Sequence, residues 1–162
     1  MISTRTAAEL IEVLRDVIAQ GRLARHLVDA DAARADLPFA LHTGQAVLLR
    51  LLADGGEQRL GVLACALELD ASVVSRRVTV LEEAGLLVRR ADPEDRRAQL
   101  VVLTDAGAEA LRRHQEARAE WMAEALSHRS DDEVARIVGD LRGLLADLHR
   151  IPVPGRQRAP AG

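Results

Sequence analysis

The residues best equipped for chemistry lie between Asp92 and Gly107, in the run Asp92-Pro-Glu-Asp-Arg-Arg-Ala-Gln-Leu-Val-Val-Leu-Thr-Asp-Ala-Gly107. Arg96 and Arg97 sit at the tip of a charged turn, and an alternating apolar stretch follows. A guanidinium pairs bidentately with phosphates and base edges, and a hairpin tipped with two of them fits a narrow, electronegative groove. Asp95 would repel phosphate if it pointed outward. Accepting from turn amides or pairing with Arg97, it instead holds the tip in shape. A charged turn taken alone is usually only solvated, so its weight depends on what precedes it.

A second cluster precedes it. Ser72, Val73, Ser75, Arg76, Arg77 and Thr79 open a helix expected over residues 71–84. A shorter helix, 59–67, comes before it, with Glu68-Leu69-Asp70 between the two. In a helix-turn-helix the second helix lies in the major groove and presents its N-terminal residues to base edges. Serine donates or accepts there, arginine pairs with guanine, and Val73 suits a thymine methyl. Val74, Val78 and Leu81 are spaced to pack inward on the opposite face. Glu82 and Glu83 stand at the far end, where their repulsion for phosphate does least harm. Asp70 is placed to cap this helix with its carboxylate, and Gly85 to end it in a left-handed conformation. Residues 86–90 and 98–103 then form the two strands of the hairpin, which must lean on the helices to be stable.

The remaining elements position these two clusters. A first helix is expected over 5–28, with Leu10, Leu14, Val17 and Ile18 at helical spacing. Residues 29–42, interrupted by Pro38, read as a loop or short helix. Thr43 should cap a second helix, 43–53, with Ala46, Val47, Leu49 and Leu51 as core candidates, ending at Asp54-Gly55-Gly56. Thr104 caps a fifth helix that reaches about Ser127, and Asp105 complements its dipole. Ser130-Asp-Asp-Glu133 is a capping box that opens a sixth helix, 131–150. Its stripe of Val134, Ile137, Val138, Leu141, Leu144, Leu145 and Leu148 is too apolar to leave in water. Gly139 and Gly143 fit either the close approach of another helix or loose solvent-facing positions. The segment 152–162, with three prolines and two glycines, is expected to be disordered.

Bulk properties narrow the class. A chain of 162 residues fits one domain with a real core. The 48% hydrophobic content comes from Leu, Ala and Val, with Phe39 and Trp121 the only aromatics. That composition favours packed helices, giving a mainly α fold with a small β-hairpin. A net charge of −3 confines any nucleic-acid site to a local patch. All 22 basic residues are arginine, which a GC-rich coding bias explains as well as any function. No apolar run is long enough to span a membrane, and the N-terminus lacks the layout of a signal peptide. The single cysteine, Cys65, excludes an internal disulfide and suits a reducing cytoplasm. Flanked by Ala64, Ala66 and Leu67, it reads as a small buried core residue rather than a redox sensor. No phosphate loop, nucleophile motif or paired carboxylates stand on a recognisable scaffold, so neither an enzyme nor a cofactor is expected.

Leu69-Asp-Ala-Ser-Val-Val-Ser-Arg76, Leu81-Glu-Glu-Ala-Gly-Leu-Leu-Val-Arg89, Asp92-Pro-Glu-Asp-Arg-Arg97 and Leu103-Thr-Asp-Ala-Gly107 together resemble the MarR family of bacterial transcription regulators. The match runs by motif from about Thr43 to Trp121. The resemblance implies a winged helix-turn-helix flanked by dimerisation helices: one MarR-like domain over 1–151, with a DNA-binding region at 43–104 and dimerisation helices at 5–30 and 105–150. It implies a cytoplasmic homodimer on a pseudo-palindromic operator in double-stranded DNA, acting as a repressor released by a small molecule or oxidant. On the family pattern Asp95 and Arg97 carry the wing, while Ser72, Ser75 and Arg76 fall on the reading helix.

For the effector the resemblance implies an aromatic anion. Arg89 matches a family arginine near the pocket between dimer arms and reading domain, and it could equally pair with a neighbouring acid. His42 and His114 fall where some relatives bind zinc. No His-x-x-x-His pair is present, so a surface or core role for both is the expectation and no metal is expected.

Overall fold

The computed structural model describes residues 2–32, 41–95 and 98–150, with the side chains of 22–32 outside that description. The chain divides into two compact units, Met1–Trp121 and Met122–Gly162. Among the described residues six helices and three strands follow in the order α1 (Thr4–Ala32), α2 (Thr43–Gly55), β1 (Gln58–Arg59), α3 (Leu60–Leu67), α4 (Ala71–Glu83), β2 (Leu87–Ala91), β3 (Gln99–Leu103), α5 (Asp105–Ala125) and α6 (Asp131–His149). The fold is mostly helical with a small antiparallel sheet, as composition and patterning predict.

α1 runs on past residue 28 to Ala32; positions 33–40, with Pro38, lie outside the described residues, as does the 152–162 segment. α2 begins where expected but is capped differently. His42, not Thr43, occupies the extended N-cap position. The buried Gln45 side chain reaches back to accept from the His42 amide at 3.0 Å. The buried face of α2 is Ala46, Leu48, Leu49 and Leu52. Val47 is 45% exposed, and Leu51 only packs against the core edge. The one-residue change of face follows from the true core direction, which short-range spacing leaves ambiguous over three turns.

The core joins α2, α3, α4, the sheet and the start of α5. Leu48, Leu49, Leu63, Val74, Val78, Leu81, Leu87 and Val101 are its most deeply buried side chains. α3 and α4 turn through two similar stops. Glu68 takes a left-handed φ of 53°, and the amides of Glu68 and Leu69 return to the carbonyls of Cys65 and Ala64, both at 3.1 Å. Gly85, at φ 73°, ends α4 in the same way, its amide and that of Leu86 bonding to Glu82 and Leu81 at 2.9 Å. These are Schellman closures, which satisfy the last helical carbonyls. Asp70 holds the N-cap position of α4 with extended backbone, yet its side chain makes no capping bond. Its carbonyl accepts from Val73 and Val74 at 2.9 and 3.1 Å.

The sheet is three-stranded, ordered β1-β3-β2 and antiparallel throughout. The hairpin register pairs Leu87 with Leu103, Arg89 with Val101 and Ala91 with Gln99. β1 pairs Gln58 with Val101 and Arg59 with Leu100. A two-residue strand carries too little pattern to foresee, and it supplies the third strand that the isolated hairpin lacked.

α5 starts with a lock onto the end of α4. Thr104 Oγ1 donates to the Gly85 carbonyl at 2.8 Å and accepts from the Gly107 amide at 3.0 Å. Gly107 lies so close that an added Cβ would stand 2.1 Å from the Leu86 carbonyl oxygen. In the second unit, α6 opens with the expected capping box. The Glu133 carboxylate accepts from the Ser130 amide at 2.9 Å, and Ser130 Oγ accepts from the Glu133 amide at 3.4 Å. Among the described residues no helix is long and apolar enough to cross a membrane.

Candidate nucleic-acid interface

α4 separates its residues cleanly by face. Val74, Val78 and Leu81 are fully buried, while Ser72 and Arg76 are exposed and Val73 and Ser75 half-buried beside them. A period of 3.6 forces this partition once the valines and Leu81 enter the core. Arg76 projects from the exposed face with Ser72 one turn before it. Arg77 is turned toward α2: a Cβ placed on Gly44 would lie 2.9 Å from its Nη1. The absent side chain of Gly44 makes room for that guanidinium. Thr79 is half-buried, and its hydroxyl donates to the Ser75 carbonyl at 3.0 Å.

The wing is anchored at its base by charge. Asp92 is only 4% exposed, and its Oδ2 accepts from Arg59 Nε at 2.7 Å, with Arg59 Nη2 equally close. Its Oδ1 accepts from the Glu94 amide at 2.8 Å. The turn amides and the Arg59 guanidinium together hold this carboxyl below the usual carboxylate range. Arg90 forms a further ion pair with Glu57, from the α2–β1 connection. Asp92 thus also serves a turn amide, at the base of the wing. Asp95 contributes its backbone carbonyl, which accepts from the Ala98 amide at 2.8 Å. Arg96 and Arg97 lie outside the described residues.

Sequence reasoning passed over Asp92 and Arg59. The signal available was Asp92 directly before Pro93, a common turn opening. Arg59, thirty-three positions earlier, carried no local mark of its partner.

The residues considered for an effector are placed as follows. Arg89, on β2, takes the alternative of pairing with an acid: its Nη1 lies 3.5 Å from Glu82 Oε2. His42 is exposed at the start of α2, and His114 is half-buried on α5. Among the described residues no group of three His, Cys, Asp or Glu side chains is disposed to hold a metal ion. Cys65 is exposed, not buried as its apolar neighbours implied; the core face of α3 is Leu63 and Ala64. The polar first half of α5 carries a ladder of ion pairs, Arg112 binding Glu109 at 2.6 Å and Glu116 at 2.5 Å. Arg112 and Arg113 together depress the Glu109 carboxyl to about 2. That face is exposed, as i,i+3 and i,i+4 charge pairs on a solvated helix are.

A helix-turn-helix packed under a braced β-hairpin defines the winged helix-turn-helix class. The MarR family model matches residues 41–98, which span the region from α2 to the wing. An HTH-type transcriptional regulator of Mycobacterium bovis is 33% identical over 101 residues, covering 61% of this chain and 71% of that protein. An HTH-type transcriptional regulator of Bacillus subtilis is 31% identical over 104 residues, covering 64% of this chain and 63% of that protein. A solved MarR family protein from Bacillus stearothermophilus shares the fold with a TM-score of 0.77 at 23% identity, over 93% of this chain and all of that one. This chain belongs to the MarR family. Its match spans somewhat under two thirds of the first Bacillus subtilis relative.

Proposed function

We propose that the protein is a sequence-specific regulator of transcription that binds double-stranded DNA as a homodimer on a pseudo-palindromic operator, repressing until a small-molecule effector releases it. The observation that carries this reading is the face of α4 opposite its buried Val74, Val78 and Leu81. Ser72, Ser75 and Arg76, with Val73, offer there the donors, acceptors and apolar contact that a major groove distinguishes. Arg77 flanks them, and Arg96 and Arg97 extend the contact from the wing.

Two apolar surfaces support the dimer. On α1, Ile11, Val17 and Ile18 are 64%, 62% and 55% exposed. On α6, Leu141, Leu145 and Leu148 are each about half exposed. Runs of apolar surface this long on helices favour a protein partner, and a two-fold axis supplies the paired reading helices that half-sites one DNA turn apart require. For the effector, an aromatic anion is the class the family resemblance implies; at Arg89 it would have to displace Glu82, and His42 and His114 are further candidates.

The test is selection of genomic fragments by the purified protein, followed by mobility-shift titration of the enriched duplex and release by candidate carboxylates. The expected result is one enriched inverted repeat, bound far more tightly than scrambled DNA. Equal binding to all duplexes would overturn sequence-specific regulation.

A further inference from the structure

One side chain fastens the wing to the reading helix. Arg89 Nη2 donates to Thr79 Oγ1 at 3.0 Å and to the Ser75 carbonyl at 3.4 Å. Its Nη1 pairs with one Glu82 oxygen at 3.5 Å, and its backbone amide donates to the other at 3.2 Å. Positions 75, 79 and 82 follow one another along a single stripe of α4. One guanidinium on β2 therefore grips two turns of the helix. Thr79 is the middle of the grip. Its one proton goes to the Ser75 carbonyl at 3.0 Å, and a lone pair receives Arg89, which uses the hydroxyl in both senses.

We infer that Arg89, acting through Thr79, is a positioning residue that sets the rotation of α4 about its own axis against the wing, and thereby the direction in which Ser72, Ser75 and Arg76 meet the bases. This rests on α4 being the reading helix, as proposed above. The buried valines hold α4 by non-directional packing, which tolerates small rotations. The Arg89 bonds are directional and charge-assisted, so they select one rotation. Thr79, grouped by sequence with the base-contacting residues, is on this view part of the support.

A support residue and a contact residue differ in what they do to DNA binding. Loss of a phosphate contact lowers affinity for every sequence and flattens the salt dependence. Misrotation of a reading helix costs affinity only where bases are read.

The full-length protein is therefore titrated, across a range of salt, against a duplex that it enriches from a random-sequence library and against a scrambled duplex of equal composition. Arg89→Gln and Thr79→Val should each weaken binding to the enriched duplex roughly tenfold, the scale of one charge-assisted bond. Binding to the scrambled duplex and the salt slope should stay at wild-type values. The double variant should lose no more than either single change, and Thr79→Ser, which restores the hydroxyl, should restore affinity. A flattened salt slope for Arg89→Gln, additive losses, or no recovery with Thr79→Ser would each overturn the positioning role. Should Arg89→Gln fail to fold, the Thr79 pair decides alone. Arg76→Ala separates the two levels of the argument. If it leaves the preference for the enriched duplex intact, the reading-helix assignment itself falls. If it removes that preference while Thr79→Val retains it, only the positioning role falls.

Discussion

Arg59 and Asp92 meet through Nε and Oδ2 at 2.7 Å, joining the first residue before α3 to the first residue beyond β2. The pair connects the entrance of the helix-turn-helix to the base of the wing. Asp92 also accepts from the Glu94 amide, so one carboxylate both closes the turn and moors it. The wing is therefore aimed from its buried base.

Acid should loosen this mooring. The Asp92 carboxyl is held below the usual range by the turn amides and Arg59, so the stability it contributes is present above its unfolded value. That contribution is lost as pH falls through the lower folded value. Melting temperatures of wild type and Asp92→Asn should differ at neutral pH, with the variant lower. The gap should begin to narrow as pH drops below about 4, where an unfolded aspartate takes up its proton, and close as pH passes the lower folded value. A gap that persists unchanged in acid would show that the carboxylate's charge is not what holds the wing.

The close approach of Gly107 to the Leu86 carbonyl leads to a packing prediction. A Cβ at 2.1 Å from a backbone oxygen cannot be absorbed by a side-chain rotation. Either α5 or the β2 entrance must move. Gly107→Ala should cost about 1–3 kcal/mol, the usual range for overpacking, as read from denaturant midpoints. Gly139→Ala is a useful comparison, since nothing lies within 4 Å of its added Cβ; it should be neutral or stabilising in the isolated chain.

Those two glycines also show what the sequence does and does not disclose. Leu103-Thr-x-x-Gly107 announces a capped helix, and Thr104 caps it as patterning requires. The reason for the glycine lies instead with Leu86, whose carbonyl is distant in sequence. Inward packing of Val74, Val78 and Leu81 was legible because a strong period repeats over three turns. α2 is almost wholly apolar between Ala46 and Leu52, so its period is blurred: the spacing that suggests Val47 as core leaves the fully buried Leu48 unmarked. The same blur hides the place of Cys65, since α3 is apolar along its whole length and gives no face. Arg59–Asp92 and Arg89–Thr79 are tertiary pairings of side chains whose types are common on any surface.

Arg97 carries a prediction that follows from charge alone. As a phosphate or minor-groove contact, its replacement by alanine should weaken binding to all duplexes. The slope of log K against log salt should fall by about one counterion. Thermal stability should change by less than about 0.5 kcal/mol if the residue serves DNA contact alone. A salt slope equal to wild type would remove Arg97 from the interface.

The apolar face of α6 gives the sharpest test of assembly. Leu145 is 56% exposed in the single chain, beside Leu141 and Leu148 one turn away on either side. If a second copy covers this face, folding is coupled to association, and the melting temperature should rise with protein concentration. Leu145→Glu would then place a carboxylate in an apolar contact at a cost of several kcal/mol. Analytical ultracentrifugation should show the variant as a monomer at concentrations where wild type is a dimer. Operator affinity should fall with it, because a lone protomer reads one half-site and forfeits the effective concentration that links the second. A variant that stays dimeric and binds the operator normally would place the dimer contact elsewhere, leaving the α6 stripe to explain by another partner.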